Sequence, residues 1–544
     1  MRTSRLACVP VVLSAALWPV LSHAAPPAPV PPAPSPSASA PPPGEDTADG
    51  DDDATSSPGA PTKLGPVPSG KGTDARAREA WLSARLTEIL APTPALAGAS
   101  IGVSVLDTAT GRVLFGSKDK QPLNAASNVK LVTTAAALAL LGPDFRYRTG
   151  VYAAPLTRLG DTIEGDLTIR GVGDPSLGTA ELAALAADLA GLGIKKFTGG
   201  LVLDDSYFDA VRTPPAFEQK NEDAYYRAPA GALSLNFNAV AIVVTPGSLD
   251  GAPARVAVDP PSAYFEVKPS VTTTATGRSS LRITLKTRPG KQPVLQVIVS
   301  GAMRLSDEQV VIRKRIDHPD IYLAQTFISE LGRRGITLGK KPPRHGVLDP
   351  KARALAATYS APLALLVRDV NKHSNNFMAE QLVKTIGAEA TGLPGSWESG
   401  IQAIKQYLKD LGIPDGYVLT NGSGLYDSNR LTADMLTRLL RAVHRDFRFS
   451  ADYLASLPIA GIDGTLSRRL EGTGAERHLR AKTGTLAGVT ALSGYVGATG
   501  RPALAFAILA NGFAQKSASR AAVRAVQDQI ATALVDYLEA TPER

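Results

Sequence analysis

Apolar and polar positions change their period several times along this chain. Residues 74–91 (DARAREAWLSARLTEILA) carry apolar side chains at helical spacing, with Ala80, Leu82, Leu86 and Leu90 as the expected core stripe. Residues 99–117 (ASIGVSVLDTATGRVLFGS) alternate at strand period on either side of Ala109-Thr110-Gly111, which predicts a hairpin. The run LNAASNVKLVTTAAALALLG (123–142) follows, and it predicts a helix with apolar residues after Lys130. From about residue 149 to 351 the pattern breaks into short strand-like runs divided by Gly and Pro, such as DTIEGDLTIRGVGDPSL, NAVAIVVTPG and SLRITLKTRP, with a few helices such as ELAALAADLAGLG. Helical period returns near DHPDIYLAQTFISELGRRG and dominates until AKTGTLAGVTALSGYV and PALAFAILANG, which read as strands. A last helix, ASRAAVRAVQDQIATALVDYL, follows.

Strands with a helix at both ends predict one antiparallel sheet built from both ends of the folded chain, interrupted by a large β-rich insertion. The expected fold class is α/β (α+β). The expected parts are residues 74–148 and 352–544 for the sheet domain and 149–351 for the insertion. Upstream, residues 1–24 read as a secretory signal: Arg2 and Arg5, an apolar stretch from Leu6 to Leu21, and Ser22-His23-Ala24 as a small-x-small cleavage signal. The stretch is short for a membrane span, and Pro10 and Pro19 interrupt it. Residues 25–73, rich in Pro, Ala, Ser and Asp, read as an unstructured tether. The expectation is an exported protein, periplasmic or extracytoplasmic, with no transmembrane anchor after processing.

Composition narrows the chemistry. The sole cysteine, Cys8, lies inside the expected signal, which excludes disulfides, thiol nucleophiles and thiolate metal sites from the mature chain. The five remaining histidines (His318, His345, His373, His444, His478) show no metal-ligand spacing, and no cofactor or metal is expected. Aromatics are only 6% of the 544 residues, so the core must be mainly Ala, Leu, Val and Ile. The formal net charge of +8 suits an acidic polymer such as cell wall, and export argues against nucleic acid. Arg313-Lys314-Arg315 reads as a solvated basic face.

Ser127 and Lys130 are three residues apart, so on a helix they share a face. A serine at a helix start has an unpaired backbone N–H and sits at the positive end of the helix dipole. An adjacent amine near neutrality can take its proton. The spacing alone is weak, because Ser117 and Lys120 repeat it in a polar hairpin end where both Lys118 and Lys120 should be solvated. Two further stretches strengthen it. NKHSNNFMAEQLVK contains Ser374-Asn375-Asn376, and AKTGTLAGV contains Lys482-Thr483-Gly484 and Thr485 on an expected edge strand.

In this order the three motifs resemble the signatures of the penicillin-interacting serine acyltransferases. The 247 residues from Ser127 to Ser374 and the 108 from Ser374 to Lys482 resemble one branch of them. That branch is the D-alanyl-D-alanine carboxypeptidase/endopeptidase family called penicillin-binding protein 4, peptidase family S13. RGVGDPSL (170–177), RAPAGALSLNFN (227–238), NGSGLYDSNRLT (421–432) and LPIAGIDGTLSRRL (457–470) resemble it too. One departure is Asn421 where the family usually has Asp, in Asn421-Gly422-Ser423-Gly424-Leu425-Tyr426.

The resemblance implies a transpeptidase-like, β-lactamase-like catalytic domain. It implies Ser127 as nucleophile, Lys130 as general base with its pKa lowered by burial and by Lys482, and Ser374 as proton relay to the leaving amine. Asn376 would bind the substrate amide and Lys482 would supply positive potential. Thr483 and Thr485 would hold the substrate carboxylate, Gly484 would let substrate lie close to the strand, and the N–H groups of Ser127 and Thr485 would form the oxyanion hole. The implied substrates are peptidoglycan stem peptides ending in D-Ala-D-Ala, with β-lactam antibiotics as inhibitors. Two alternatives stand beside it. A serine β-lactamase is disfavoured by the missing Glu-x-x-Leu-Asn element and by the insertion's size. A catalytically silent wall-binding protein would not need all five polar residues. RGVGDPSL reads as a structural turn, not a dinucleotide loop. Leu203-Asp204-Asp205-Ser206-Tyr207-Phe208 is either a solvated turn or a contact for the wall's diamino acid.

Overall fold

Antiparallel pairing joins the two ends of the folded chain. A computed structural model describes residues 64–69, 74–154, 157–290, 293–392, 394–515 and 517–541. The expected signal lies outside them, as does most of the expected tether. The main sheet has five strands in the order Leu479–Leu486, Val489–Val496, Leu504–Asn511, Ser100–Asp107, Val113–Ser117. Every neighbour in it is antiparallel. The hairpin expected at residues 109–111 forms, and a second one, not expected from the sequence, joins Leu479–Leu486 to Val489–Val496. Gly111 (φ 79°) and Gly488 (φ 67°) take the left-handed turn positions that a side chain disfavours.

One face of this sheet packs on the helices Ala75–Ile89 and Ser517–Glu539, through a core that includes Leu82, Leu86, Phe506 and Ile530. The first helix buries Leu82 and Leu86 as expected, but its other buried positions are Arg78 and Ile89: Ala80 is exposed and Leu90 only half-buried. Residues 78, 82, 86 and 89 follow steps of four, four and three along one helical face, and Ala80 falls two residues off it. Leu64–Ser69, inside the expected tether, has neither helix nor strand, yet the Trp81 indole donates to the Gly65 carbonyl at 2.9 Å.

On the opposite face lies an all-helical layer. Its centre is Val129–Leu141, surrounded by Leu363–Lys372, Asn376–Thr391, Trp397–Asp410, Ala433–Arg445 and Ser450–Ser456. Ten consecutive residues of the central helix, Val129 to Leu138, are buried. A helix that is apolar all round can be stable only inside a core, which is where alanine's small side chain allows close packing. Gly142 (φ 88°) ends it.

Residues 149–351 fold mainly into small sheets. The largest runs Arg344–His345, Leu201–Asp204, Leu167–Arg170, Arg148–Ala153, Arg353–Tyr359. Its last two strands pair antiparallel and carry the chain into and out of the insertion. Three three-stranded sheets accompany it. RGVGDPSL is a structural turn, in which Asp174 accepts from the Ser176 amide and hydroxyl. Residues 203–208 are not a solvated turn: Leu203, Asp204, Tyr207 and Phe208 are all buried. Of the expected basic face, only Arg313 is exposed; Lys314 pairs with Asp223 and Arg315 with Asp317. No described helix is long and apolar enough to cross a membrane.

Candidate active site

The nucleophile candidate sits where the edge strand of the sheet meets the central helix. Ser127 lies in the short 3-10 turn Ala126–Asn128, directly before that helix. Ala126 is left-handed (φ 44°), a conformation that costs a non-glycine residue about 1–3 kcal/mol and that collects at functional sites. Lys130 is fully buried, and its Nζ lies 2.8 Å from Ser127 Oγ, 2.6 Å from Asn376 Oδ1 and 2.9 Å from the Ser423 carbonyl. The repeated spacing at Ser117 gives nothing comparable, since Ser117 ends a strand and Lys118 and Lys120 are exposed.

The second motif is a helix junction. Ser374 is also left-handed (φ 53°) and turns the chain from Leu363–Lys372 into Asn376–Thr391. Asn375 is the N-cap, accepting the Met378 amide at 3.0 Å. Asn376 therefore points from the first helical position. Its Nδ2 donates to the Tyr226 carbonyl at 3.1 Å, which fixes Oδ1 toward Lys130. Tyr226 belongs to the insertion, so the insertion helps to orient this side chain.

The third motif lies on the edge strand Leu479–Leu486. Lys482 is fully buried, and its Nζ donates to Ser374 Oγ at 2.7 Å and to the Thr483 carbonyl at 2.9 Å. Asn128, next to the nucleophile, donates to the Lys482 carbonyl at 3.0 Å and ties the turn to the strand. The Thr483 hydroxyl meets Thr465 Oγ1 at 2.8 Å, and Thr485 is buried. Gly484 has a different neighbour from the one expected. A Cβ there would meet Ala125 O at 2.9 Å and Ser127 N at 3.0 Å, so its bare face lies against the nucleophile turn rather than against open substrate space. All eight residues singled out from sequence thus line one junction.

Several supporting residues escaped sequence reasoning. Lys372, two residues before Ser374 and the last residue of its helix, donates to the Leu457 carbonyl at 2.7 Å and pairs with Asp463 at 2.6 Å. Burial lowers its pKa and Asp463 opposes that. This pair holds the loop that presents Thr465 to Thr483. The Asn421–Leu425 loop packs on the other side. Asn421 Oδ1 accepts the Gly424 amide at 3.0 Å, while Nδ2 donates to Pro215 O and Ser428 Oγ, both at 3.0 Å. An aspartate would lack those two donors, so the departure from the family pattern is absorbed by local hydrogen bonds. Glu380 anchors the same loop. Its position four residues after Asn376 on one helical face was the available signal. Beside Asn376 and Tyr226 opens a cleft of about 530 Å³, reaching past Tyr426 and Lys220 to Phe513.

A sheet with this helical layer, and a Ser-x-x-Lys turn set against a Lys-Thr-Gly edge strand, define the penicillin-binding-protein class of transpeptidase-like folds. The crystal structure of penicillin binding protein 4 from Haemophilus influenzae superposes with a TM-score of 0.67 at 23% identity, covering 81% of this chain and 97% of that one. The same protein complexed with a β-lactam gives 0.65 at 24% identity, covering 82% of this chain and 97% of that one. The model of the D-Ala-D-Ala carboxypeptidase 3 (S13) family matches residues 82–534, and the chain belongs to that family. A D-alanyl-D-alanine carboxypeptidase from an Actinomadura species is 36% identical over 477 residues, covering 84% of this chain and 86% of the relative. The D-alanyl-D-alanine carboxypeptidase DacB of Haemophilus influenzae is 25% identical over 427 residues, covering 76% of this chain and 86% of that protein.

Proposed function

We propose that this protein is a serine-type D-alanyl-D-alanine carboxypeptidase with DD-endopeptidase activity, working through an acyl-enzyme on Ser127. The observation that carries the reading is the environment of Lys130. Asn376 Oδ1 and the Ser423 carbonyl can only accept hydrogen bonds. A neutral amine has two N–H bonds and one lone pair. When the amine is neutral, these two obligate acceptors suit its two N–H bonds, and its lone pair can be directed at Ser127 Oγ, 2.8 Å away. That is the arrangement a general base needs.

Ser127 Oγ attacks the carbonyl carbon of the terminal D-Ala-D-Ala bond while Lys130 takes its proton. Negative charge on the carbonyl oxygen is met by the N–H groups of Ser127 and Thr485. Ser374, held by Lys482, relays that proton from Lys130 to the leaving amine, the C–N bond breaks and D-Ala departs. Lys482, Thr483 and Thr485 hold the substrate carboxylate. Water then attacks the ester, Ser127 recovers its proton, and the shortened peptide leaves. A β-lactam acylates the same oxygen by ring opening and has no leaving group to lose. The cleft beside Asn376 has a volume that suits a stem peptide. An exported, extracytoplasmic location matches a peptidoglycan substrate and the leader expected at residues 1–24.

The test is to incubate the mature protein with a pentapeptide ending in D-Ala-D-Ala, with a crosslinked dimer and with labelled penicillin. Release of D-Ala, cleavage of the dimer, and a long-lived label absent from Ser127→Ala support the reading. Rapid turnover of penicillin makes the protein a β-lactamase, and no label at all removes the acyl-enzyme.

A further inference from the structure

Glu380 is a fully buried carboxylate to which the chemistry above gives no role. It lies four residues after Asn376 on the same helix. Its Oε1 accepts the Ser423 amide at 2.8 Å, and its Oε2 accepts the Trp397 indole at 2.8 Å and the Gly422 amide at 3.2 Å. All three partners donate, so the group they suit is the ionised carboxylate, which has no proton of its own to place. Burial pushes its pKa above the ordinary value, and those hydrogen bonds oppose the push.

Ser423 connects this carboxylate to the reacting amine within one residue. Its N–H is held by Glu380 and its C=O receives Lys130 Nζ. The loop has no slack on either side. A Cβ on Gly424 would lie 1.9 Å from Ala126 O, in the nucleophile turn. A Cβ on Gly422 would lie 2.8 Å from Ala379 O, on the Glu380 helix, and 2.4 Å from Val383 Cγ2. Thr133, on the central helix, adds a hydrogen bond to the Gly422 carbonyl at 2.8 Å.

We infer that Glu380 is a positioning residue for the acylation step: its carboxylate fixes the Ser423 carbonyl on Lys130, and so aims the amine lone pair at Ser127. The inference rests on the reading of Ser127 and Lys130 as nucleophile and base. Without that carbonyl the amine loses one of its fixed acceptors, and it can turn its lone pair away from Ser127. An error of about 1 Å in such a group costs about a hundredfold in rate, and the whole of general base catalysis is worth about 10²–10⁴-fold.

The experiment measures acylation by a fluorescent penicillin and D-Ala release for the mature protein, Glu380→Gln, Lys130→Ala and the double variant, with circular dichroism as the folding check. Glutamine keeps the size but turns an N–H₂ toward donors. The expected result is a fall of about 10- to 100-fold in kcat with KM little changed. In the Lys130→Ala background, followed over hours, the same substitution should change the remaining rate by less than about threefold, because the group it positions is gone. A Glu380→Gln protein that folds and reacts at the wild-type rate overturns the inference, as does an equal loss in both backgrounds. If Glu380→Gln does not fold, Gly422→Ala decides, since its added methyl lifts the loop from the Glu380 helix. A folded Gly422→Ala protein with the wild-type rate overturns the inference, and one with the same kcat loss supports it. If the unmodified protein neither binds penicillin nor releases D-Ala, or Lys130→Ala reacts as fast as it does, the functional reading itself falls.

Discussion

Gly484→Ala tests the junction between edge strand and nucleophile turn with one methyl group. The added Cβ would sit 2.9 Å from Ala125 O, 3.0 Å from Ser127 N and 3.1 Å from Ala126 Cβ. Ordinary contact begins at 3.4 Å, so the shortfall is about 0.5 Å at the oxygen and about 0.4 Å at the nitrogen. Both atoms are backbone and cannot rotate away. The strand and the turn must therefore separate by about half an ångström. Thr485 follows Gly484, and Ser127 carries the proposed attacking oxygen, so the separation widens the gap across which their two N–H groups would meet the oxyanion. Losing one oxyanion donor outright costs about 10²–10³-fold, and a displacement of half an ångström should cost about tenfold to a hundredfold. Kinetics of acylation by a chromogenic β-lactam, alongside D-Ala release, provide the assay. The loss should fall on kcat in both reactions, accompanied by about 1–3 kcal/mol of lost stability from overpacking. A variant that acylates at the wild-type rate and unfolds at the wild-type urea midpoint would refute the reasoning, because the strand would then have room it is not shown to have.

Other perturbations probe the supports. Lys372→Met removes the partner of Asp463 and of the Leu457 carbonyl; with Asp463 about a third exposed, the cost should be about 1–3 kcal/mol in urea unfolding, with slower acylation because Thr465 loses its footing. Burial raises Asp174 from 3.8 to about 6 in the folded protein. Its folded value lies above its unfolded one, so its contribution to stability is full below 3.8 and is lost as pH rises through about 6. Asp174→Asn, which keeps the acceptor for Ser176, should therefore be more stable relative to the parent at pH 7 than at pH 4, by about 2–3 kcal/mol; a difference independent of pH removes the assignment. Ser117→Ala and Lys120→Ala should each leave penicillin labelling within about twofold, since that pair has the catalytic spacing without the buried setting.

What sequence alone could reveal depended on where the chemistry was written. The roles proposed for Ser127, Lys130, Ser374, Asn376 and Lys482 lie in their side chains, so their types and spacing were visible. The shared sheet was also visible, because strand-period runs stand at both ends of the folded chain. Ser423 and Tyr226 act through backbone carbonyls, which any residue supplies, and no residue type marks them. Glu380 could have been suspected from its four-residue spacing, but only packing reveals that its carboxylate faces a loop more than 40 residues ahead. Gly484 was read as room for substrate because the nucleophile turn against it is far away in sequence. The first helix was assigned its core stripe from apolar residues alone, which hid the burial of Arg78 and drew in Ala80, whose small side chain gives no strong signal of facing. Residues 203–208 looked solvated from their two aspartates, yet Asp204 is buried with its Oδ1 accepting from the Ser206 amide and hydroxyl.

Mapping the penicillin adduct by mass spectrometry tests the acyl-enzyme on Ser127 most directly. The mature protein is incubated with benzylpenicillin, digested, and its peptides are sequenced. Ring opening adds the whole antibiotic to the attacking oxygen, so the proposed chemistry predicts one adduct of full penicillin mass per chain, on the peptide that contains Ser127 and on that serine. Ser127→Ala should carry none, and should release no D-Ala from the pentapeptide. An adduct on another serine, or continued D-Ala release by Ser127→Ala, would contradict it.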